Sequence, residues 1–237
     1  PAGIEAYAVT VTKNNYSTDQ TYDRDDILNP NPDPPHLNVV DGEITQEYFE
    51  ISRQVNSLAI HMRSVDNGEP HPDISFRLHG ELTQGTDSNG QPIYSYDEML
   101  TTNSGGNAQL HDLAADSYTV LIDEVSVGYV IAGYDHVLPY PAAPQSTETI
   151  TIDLDDYVPY TALINVRDSA NAPIANASVH LTLASTYDTT LVTDANGQAF
   201  FTPLTADTYT LTITATSYTT YNGSVVVNGN EEQINVL

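Results

Sequence analysis

The chain of 237 residues contains no cysteine and no tryptophan. The first absence excludes disulfides, thiolate zinc sites and cysteine nucleophiles. Positive charge is nearly as scarce: six Lys and Arg stand against 32 Asp and Glu, for a formal net charge of −26. A surface that negative repels phosphate, which argues against a nucleic-acid partner and an anionic membrane surface. No apolar run approaches the ~18 residues needed to cross a bilayer, so no membrane insertion is expected. G-x-S-x-G, H-E-x-x-H and a phosphate-cradling glycine loop are missing too. Paired carboxylates are plentiful, as glycoside hydrolysis requires, but two small sandwiches offer little room for its cleft. A non-enzyme is therefore expected. What is present suits a folded protein: 40% hydrophobic residues, 16% charged residues and sixteen tyrosines. The chain opens Pro1-Ala2-Gly3, without Met or a basic-then-apolar leader. That start fits either a processed secretory protein or a trimmed fragment.

An internal repeat organises the sequence. Residues 102–122 (TNSGGNAQLHDLAADSYTVLI) align without gaps on residues 193–213 (TDANGQAFFTPLTADTYTLTI), an offset of 91. Identities are Thr102/Thr193, Gly106/Gly197, Ala108/Ala199, Leu113/Leu204, Ala115/Ala206, Asp116/Asp207, Tyr118/Tyr209, Thr119/Thr210 and Ile122/Ile213. With a one-residue gap, 60–78 also align on 164–181, matching Arg63 to Arg167, Ser75 to Ser178 and Leu78 to Leu181. The pattern predicts two tandem modules, 53–156 and 157–237, after a unique segment, 1–52. Each module reads as all-β. In the second, strands are expected at Ala162–Asp168, Ser178–Ala184, Ala199–Thr202, Thr208–Ala215, Gly223–Val227 and Gln233–Leu237, where apolar and polar residues alternate. Turns are expected at Asp194–Gly197, Asn222-Gly223 and Asn228-Gly229. No segment carries a helical period. The expected fold is all-β: two tandem sandwiches behind an N-terminal extended strand and a Pro-rich linker. Leu113…Asp116-Ser117-Tyr118 and Leu204…Asp207-Thr208-Tyr209 fit a tyrosine corner, so Tyr118 and Tyr209 are expected to be structural.

The run TDANGQAFFTPLTADTYTLTITATSY (193–218), preceded by INVRDSANAPIANASVHL, resembles the transthyretin-like (prealbumin-like) module. Collagen-adhesin B-type stalks, pilus backbone subunits and carboxypeptidase-regulatory-like domains carry this module. The first copy departs from the pattern: T-D-x-x-G has become Thr102-Asn103-Ser104-Gly105-Gly106, and an insertion lies around 84–98. The resemblance implies an Ig-like sandwich fold and serves several functions alike. Many pilus modules of this family hold an internal Lys–Asn isopeptide bond and join through a sortase-processed lysine. Here Lys13 is the one lysine, outside both repeats, and no LPxTG motif occurs. Covalent joining is therefore not expected. Tandem transthyretin-like domains also resemble fimbrial subunits that join by donating a β-strand.

The unique segment offers such a strand. Gly3–Thr12 reads as extended, and Asn29-Pro30-Asn31-Pro32-Asp33-Pro34-Pro35 reads as a stiff linker. Ile4, Ala6 and Ala8, or on the other face Tyr7, Val9 and Val11, would fill a neighbour's groove. Alternatively, residues 4–12 pair in their own chain as an edge strand of the first module. Short strands are further expected at Leu37–Val40 and Glu47–Ile51.

Other chemistry is sparser. Asp23, Asp25 and Asp26, or Asp153, Asp155 and Asp156 at the junction between modules, could hold Ca2+, though neither run matches an EF-hand. No other cofactor is implied. His61, His79 and His111 fall in the first module. Alternation places His61 and His79 on the outward side of neighbouring strands, with Ile60, Met62, Leu78 and Leu82 inward, where a metal site is conceivable. Sequons stand at Asn15, Asn176 and Asn222, the last expected in a turn. Tyr134, Tyr140, Tyr157 and Tyr160 near the junction could stack on sugars or pack the modules together.

Together these features point to a secreted or cell-surface, non-enzymatic subunit of a pilus-like filament whose main partner is another copy of itself. The alternative is a monomeric adhesin or carbohydrate-binding surface protein that contacts host or environmental glycans. A weaker third reading is an accessory domain of an extracellular enzyme.

Overall fold

The computed structural model describes residues 3–13, 16–51, 55–114, 116–136, 138–142, 147–228 and 232–236. Among them, strands dominate. The N-terminal segment holds short strands β1 (Gly3–Tyr7), β2 (Thr10–Val11), β3 (Asp19–Gln20), β4 (Asn31–Pro32) and β5 (Leu37–Val39). Next come β6 (Val55–Ser64), β7 (Ser75–Gly80), β8 (Thr83–Thr86), β9 (Pro92–Tyr94), β10 (Asp97–Thr101), β11 (Asn107–Leu113) and β12 (Ser117–Ile122). A single helical turn, α1 (Glu124–Val127), is followed by β13 (Tyr129–Tyr134), β14 (Tyr140–Pro141) and β15 (Thr147–Asp156). The last part contains β16 (Ala162–Val166), β17 (Ser178–Leu183), β18 (Tyr187–Val192), β19 (Gln198–Phe201), β20 (Asp207–Thr214), β21 (Tyr221–Val227) and β22 (Glu232–Val236).

These strands make two sandwiches with matching topology. In the first, a sheet ordered β10-β7-β12-β14 faces one ordered β11-β6-β15-β13. In the second, β18-β17-β20-β21 faces β19-β16-β22. Alternation along each strand drives this. In β7, Phe76 and Leu78 are fully buried while Ser75 and Arg77 are exposed. In β20, Tyr209, Leu211 and Ile213 point inward while Thr208, Thr210 and Thr214 face solvent. One core gathers Leu58, Ile60, Met62, Phe76, Leu78, Tyr118, Ile150, Ile152 and Leu154. The other gathers Ala162, Ile164, Val179, Leu181, Phe201, Tyr209, Leu211 and Val225. Burying one such side chain is worth about 1.5–3 kcal/mol, so these contacts dominate the stability of each sandwich.

The repeat identities hold the backbone in matching ways. Gly106 and Gly197 have φ of 71° and 74°, a region open to glycine and costly for other residues. Their carbonyls accept from Met62 N and Val166 N, both at 2.8 Å. The buried Thr102 hydroxyl accepts from Ile74 N at 3.0 Å and donates to the His71 carbonyl at 2.8 Å. Thr193 does the same with Ala177 N (2.9 Å) and the Ile174 carbonyl (2.7 Å). Arg63 and Arg167 each form an isolated bridge, to Pro70 and Pro173.

Several expectations need correction. Asn222-Gly223 is not a turn: it lies inside β21, with Gly223 opposite Leu211. The chain reverses earlier, where Tyr218 N donates to the Ala215 carbonyl and Ser217 has φ of 70°. Of the Asn228-Gly229 pair, Gly229 lies outside the described residues. Residues 47–51 form no strand. The Pro-rich stretch is no free linker, because Asn31–Pro32 pair with Thr86 and Gly85 of β8 and Asp33 N donates to the Gln84 carbonyl at 2.9 Å. Leu82 is 46% exposed rather than inward, since β7 ends at Gly80 and the alternation stops there. The helical turn α1 was not expected; Asp123 caps it, accepting from Ser126 N and Ser126 Oγ.

Candidate functional site

The N-terminal strand is placed by light contacts. β1 pairs antiparallel with β5 through Gly3 opposite Val39 and Tyr7 opposite Leu37, with an irregularity between them. Glu5 sits there with φ of 49°, its N–H donating to Asn38 Oδ1 and its carboxylate paired with Arg24 at 2.8 Å. β2 pairs with β3. Residues 4–11 thus pair in their own chain, but within the N-terminal segment and not as an edge of the first sandwich. Ile4, Ala6 and Ala8 are exposed, while Tyr7, Val9 and Val11 are half-buried. None of these residues enters either core.

The acidic runs are occupied locally. Asp23 Oδ1 accepts from Asp25 N and Asp26 Oδ1 from Leu28 N, ordering a tight turn. Asp153 accepts from Arg63 Nε at 2.6 Å, which holds the Arg63 guanidinium firmly protonated. Asp155 Oδ1 accepts from Asp156 N. Among the described residues, no three His, Asp or Glu side chains converge as a metal-binding group. His61 and His79 lie in different sheets, on β6 and β7, not on neighbouring strands. Alternation along a strand does not reveal which sheet a strand joins. His61 meets Asn107 Oδ1 at 3.0 Å, and His79 stacks edge-on against Tyr94 with centroids 4.0 Å apart.

Of the sequon residues, Asn176 and Asn222 are exposed, and Asn15 lies outside the described residues. Asn222 sits on the edge strand β21, accepting from Thr212 Oγ1 at 3.2 Å.

The tyrosines of the repeat work as struts. The Tyr118 hydroxyl donates to the Ala114 carbonyl at 3.0 Å, and that of Tyr209 to the Thr205 carbonyl at 3.2 Å. Burial pushes the Tyr118 hydroxyl well above the ordinary phenol range, so it remains a donor. Tyr96 and Tyr187, also 91 residues apart, meet Tyr118 and Tyr209 edge-to-face.

Where the sandwiches meet, β16 is buried on both faces. Leu163 joins the first core, and Phe200 packs against it. Gln198 Oε1 accepts from Tyr134 N at 2.9 Å across the contact. Tyr134 is 3% exposed and presents no ring to a sugar. Tyr160 packs on the second core. Tyr140 is half-buried, its ring edge-on to His136 at 5.1 Å. Sequence reasoning missed Gln198, whose role depends on a neighbour 64 residues away.

Residues 164–237 match the carboxypeptidase regulatory-like domain. The resemblance read from 193–218 therefore holds for the second sandwich, and the first repeats the topology of this regulatory-like module. No characterised protein sequence matches the chain. Among solved structures, similar ones include the Bacillus anthracis TIE protein (15% identity, TM-score 0.29), matched over 97% of this chain and 46% of that one. This chain thus spans less than half of that protein. Also similar are the shaft pilin SpaA of Lactobacillus rhamnosus GG (11%, TM-score 0.29, covering 76% and 96% of the two chains) and a streptococcal ancillary pilin (13%, TM-score 0.32, covering 84% and 68%). At such scores the arrangements do not superpose as wholes. No helix among the described residues is long and apolar enough to cross a membrane.

Proposed function

We propose that the chain is a non-enzymatic structural subunit of an extracellular, pilus-like filament. In this reading, residues 53–156 and 157–237 are rod modules, and segment 1–52 links neighbours by donating the strand around residues 4–11. The observation that carries it is the state of β1. A lone two-stranded sheet is marginal in water; β1 has one short partner, lies outside both cores and leaves Ile4 86% exposed. Such a strand loses little by leaving β5 and gains main-chain hydrogen bonds and a covered Ile4 on joining a neighbour's sheet. Asn176 and Asn222, both exposed, are where such a fibre would carry glycans.

Deletion of residues 1–12 tests this. Electron microscopy of the intact protein is expected to show ordered filaments, and the deleted chain is expected to stay a folded monomer. Filaments that survive the deletion would refute strand donation by this segment.

A further inference from the structure

Where the second sandwich meets the first, three polar side chains of one patch are left short of partners. β16 faces the first sandwich with Leu163, which joins that core, and alternation carries Asn165 and Arg167 to the same side. Gln198 stands directly opposite Asn165 in the register of β16 with β19, so their Cβ atoms lie about 5 Å apart. Arg167 follows about 7 Å further along the chain. Asn165, Arg167 and Gln198 are 0%, 4% and 5% exposed. Yet neither polar atom of the Asn165 side chain, nor Gln198 Nε2, nor Arg167 Nε has a hydrogen-bond partner. Gln198 Oε1 is engaged with Tyr134 N. Gly133 leaves room for that contact, since a Cβ there would lie 3.0 Å from Gln198 Oε1. The first sandwich satisfies the same positions within itself. The equivalents of Asn165, Gln198 and Arg167 are His61, Asn107 and Arg63, all half-buried. His61 Nδ1 meets Asn107 Oδ1 at 3.0 Å, Asn107 Nδ2 donates to the Gly105 carbonyl at 2.7 Å, and Arg63 Nε donates to Asp153 at 2.6 Å. The copy whose groups could turn to water pairs them; the buried copy leaves them open.

We propose that this patch binds a small anion, chloride, at the joint between the sandwiches. Buried donors without acceptors are costly, so a polar guest among them is favoured. The unmet capacity is lopsided. The N–H groups of Asn165 Nδ2, Gln198 Nε2 and Arg167 Nε all seek an acceptor, while Asn165 Oδ1 is the one atom of the patch that seeks a donor. A guest that accepts from several sides and donates to none fits that balance. A cation would face N–H groups and a guanidinium, whereas an anion gains their attraction. Asp153 approaches the same corner, its Oδ2 3.9 Å from the Cβ position at Gly133, but Arg63 neutralises it. In the first copy Arg63 Nε takes a carboxylate oxygen; in the second the anion takes that role at Arg167. Because Gln198 also reaches Tyr134 N of the first sandwich, the ion holds an amide that ties the two modules together. The joint is therefore firmer in chloride.

Two measurements on the full chain test the site. Crystals grown with bromide in place of chloride are expected to show an anomalous peak within hydrogen-bond reach of Asn165, Gln198 and Arg167. In solution, the thermal midpoint is expected to rise by roughly 3 °C or more when chloride replaces gluconate. Ionic strength is held fixed, because salt of any kind screens a chain of net charge −26. Asn165→Leu, which removes the donors at similar volume, is expected to abolish the chloride response. Asn107→Leu, at the Gln198 equivalent in the first sandwich, is expected to keep it. If Asn165→Leu does not fold, the bromide map of the parent chain decides. An ordered water or a carboxylate of the chain itself in place of the bromide peak overturns the proposal. So do equal midpoints in the two salts, or equal loss of the response in both variants.

Discussion

The two sandwiches run the same strand order, β10-β7-β12-β14 against β18-β17-β20-β21, yet they carry different additions. The first has α1, the extra edge strand β13, the N-terminal segment laid on β8, and two arginine–aspartate pairs. The second has none of these among its described residues, and its outward strand faces are largely threonine. What the copies share are residues with backbone duties: Gly106 and Gly197, Thr102 and Thr193, Tyr118 and Tyr209. Arg63 and Arg167 show the converse. Both bridge a proline, but Arg63 pairs with Asp153 while Arg167 Nη1 donates to the Asn171 carbonyl. Identity across this repeat therefore marks geometry, and chemistry has to be read from what each copy adds.

The largest effect is expected at the repeated glycines. A Cβ on Gly197 would stand 2.5 Å from the Val166 carbonyl oxygen, and one on Gly106 would collide likewise with Met62. With the left-handed backbone added, Gly197→Ala and Gly106→Ala should each cost about 3–5 kcal/mol, as read by denaturant unfolding. A large loss at one glycine and a small one at the other would break the equivalence of the two copies. Next come Thr193→Val and Thr102→Val. Each leaves a buried N–H and a carbonyl without their partner, at a cost of about 2–3 kcal/mol; unequal costs would show that one copy relaxes where the other cannot. The smallest effect sharpens the difference. Arg77 holds the Asp97 carboxyl below its ordinary range. A lowered pKa means stability present above the ordinary carboxylate pKa and lost as pH falls through the depressed value. Since the pair is partly exposed, Asp97→Asn should cost less than about 1 kcal/mol near neutral pH. The gap from the parent chain should close in acid, as followed by thermal melts across pH. A gap that persists at low pH would assign the cost to packing and not to charge.

Most strands of the second sandwich were legible because inward positions alternate with threonine, and burial follows that alternation. β18 was not. Its pattern YDTTLV is half-buried at best, and without a deeply buried position a polar edge strand carries no period. Asn222-Gly223 misled because the dipeptide favours a tight turn, whereas the pairing of β20 with β21 runs on through it. The corner tyrosines could be read because they recur with their flanking residues. The junction patch could not: Asn165 and Gln198 meet through the register of β16 with β19, and only contact with the first sandwich covers them.

In each sandwich the first and last strands lie side by side and point the same way: β6 beside β15, and β16 beside β22. The chain therefore enters a module at one end and leaves it at the other. Tension along the chain drags those two strands past each other in shear, loading their hydrogen bonds together instead of peeling them one by one. Under such a pull each sandwich is loaded along the length of its paired first and last strands.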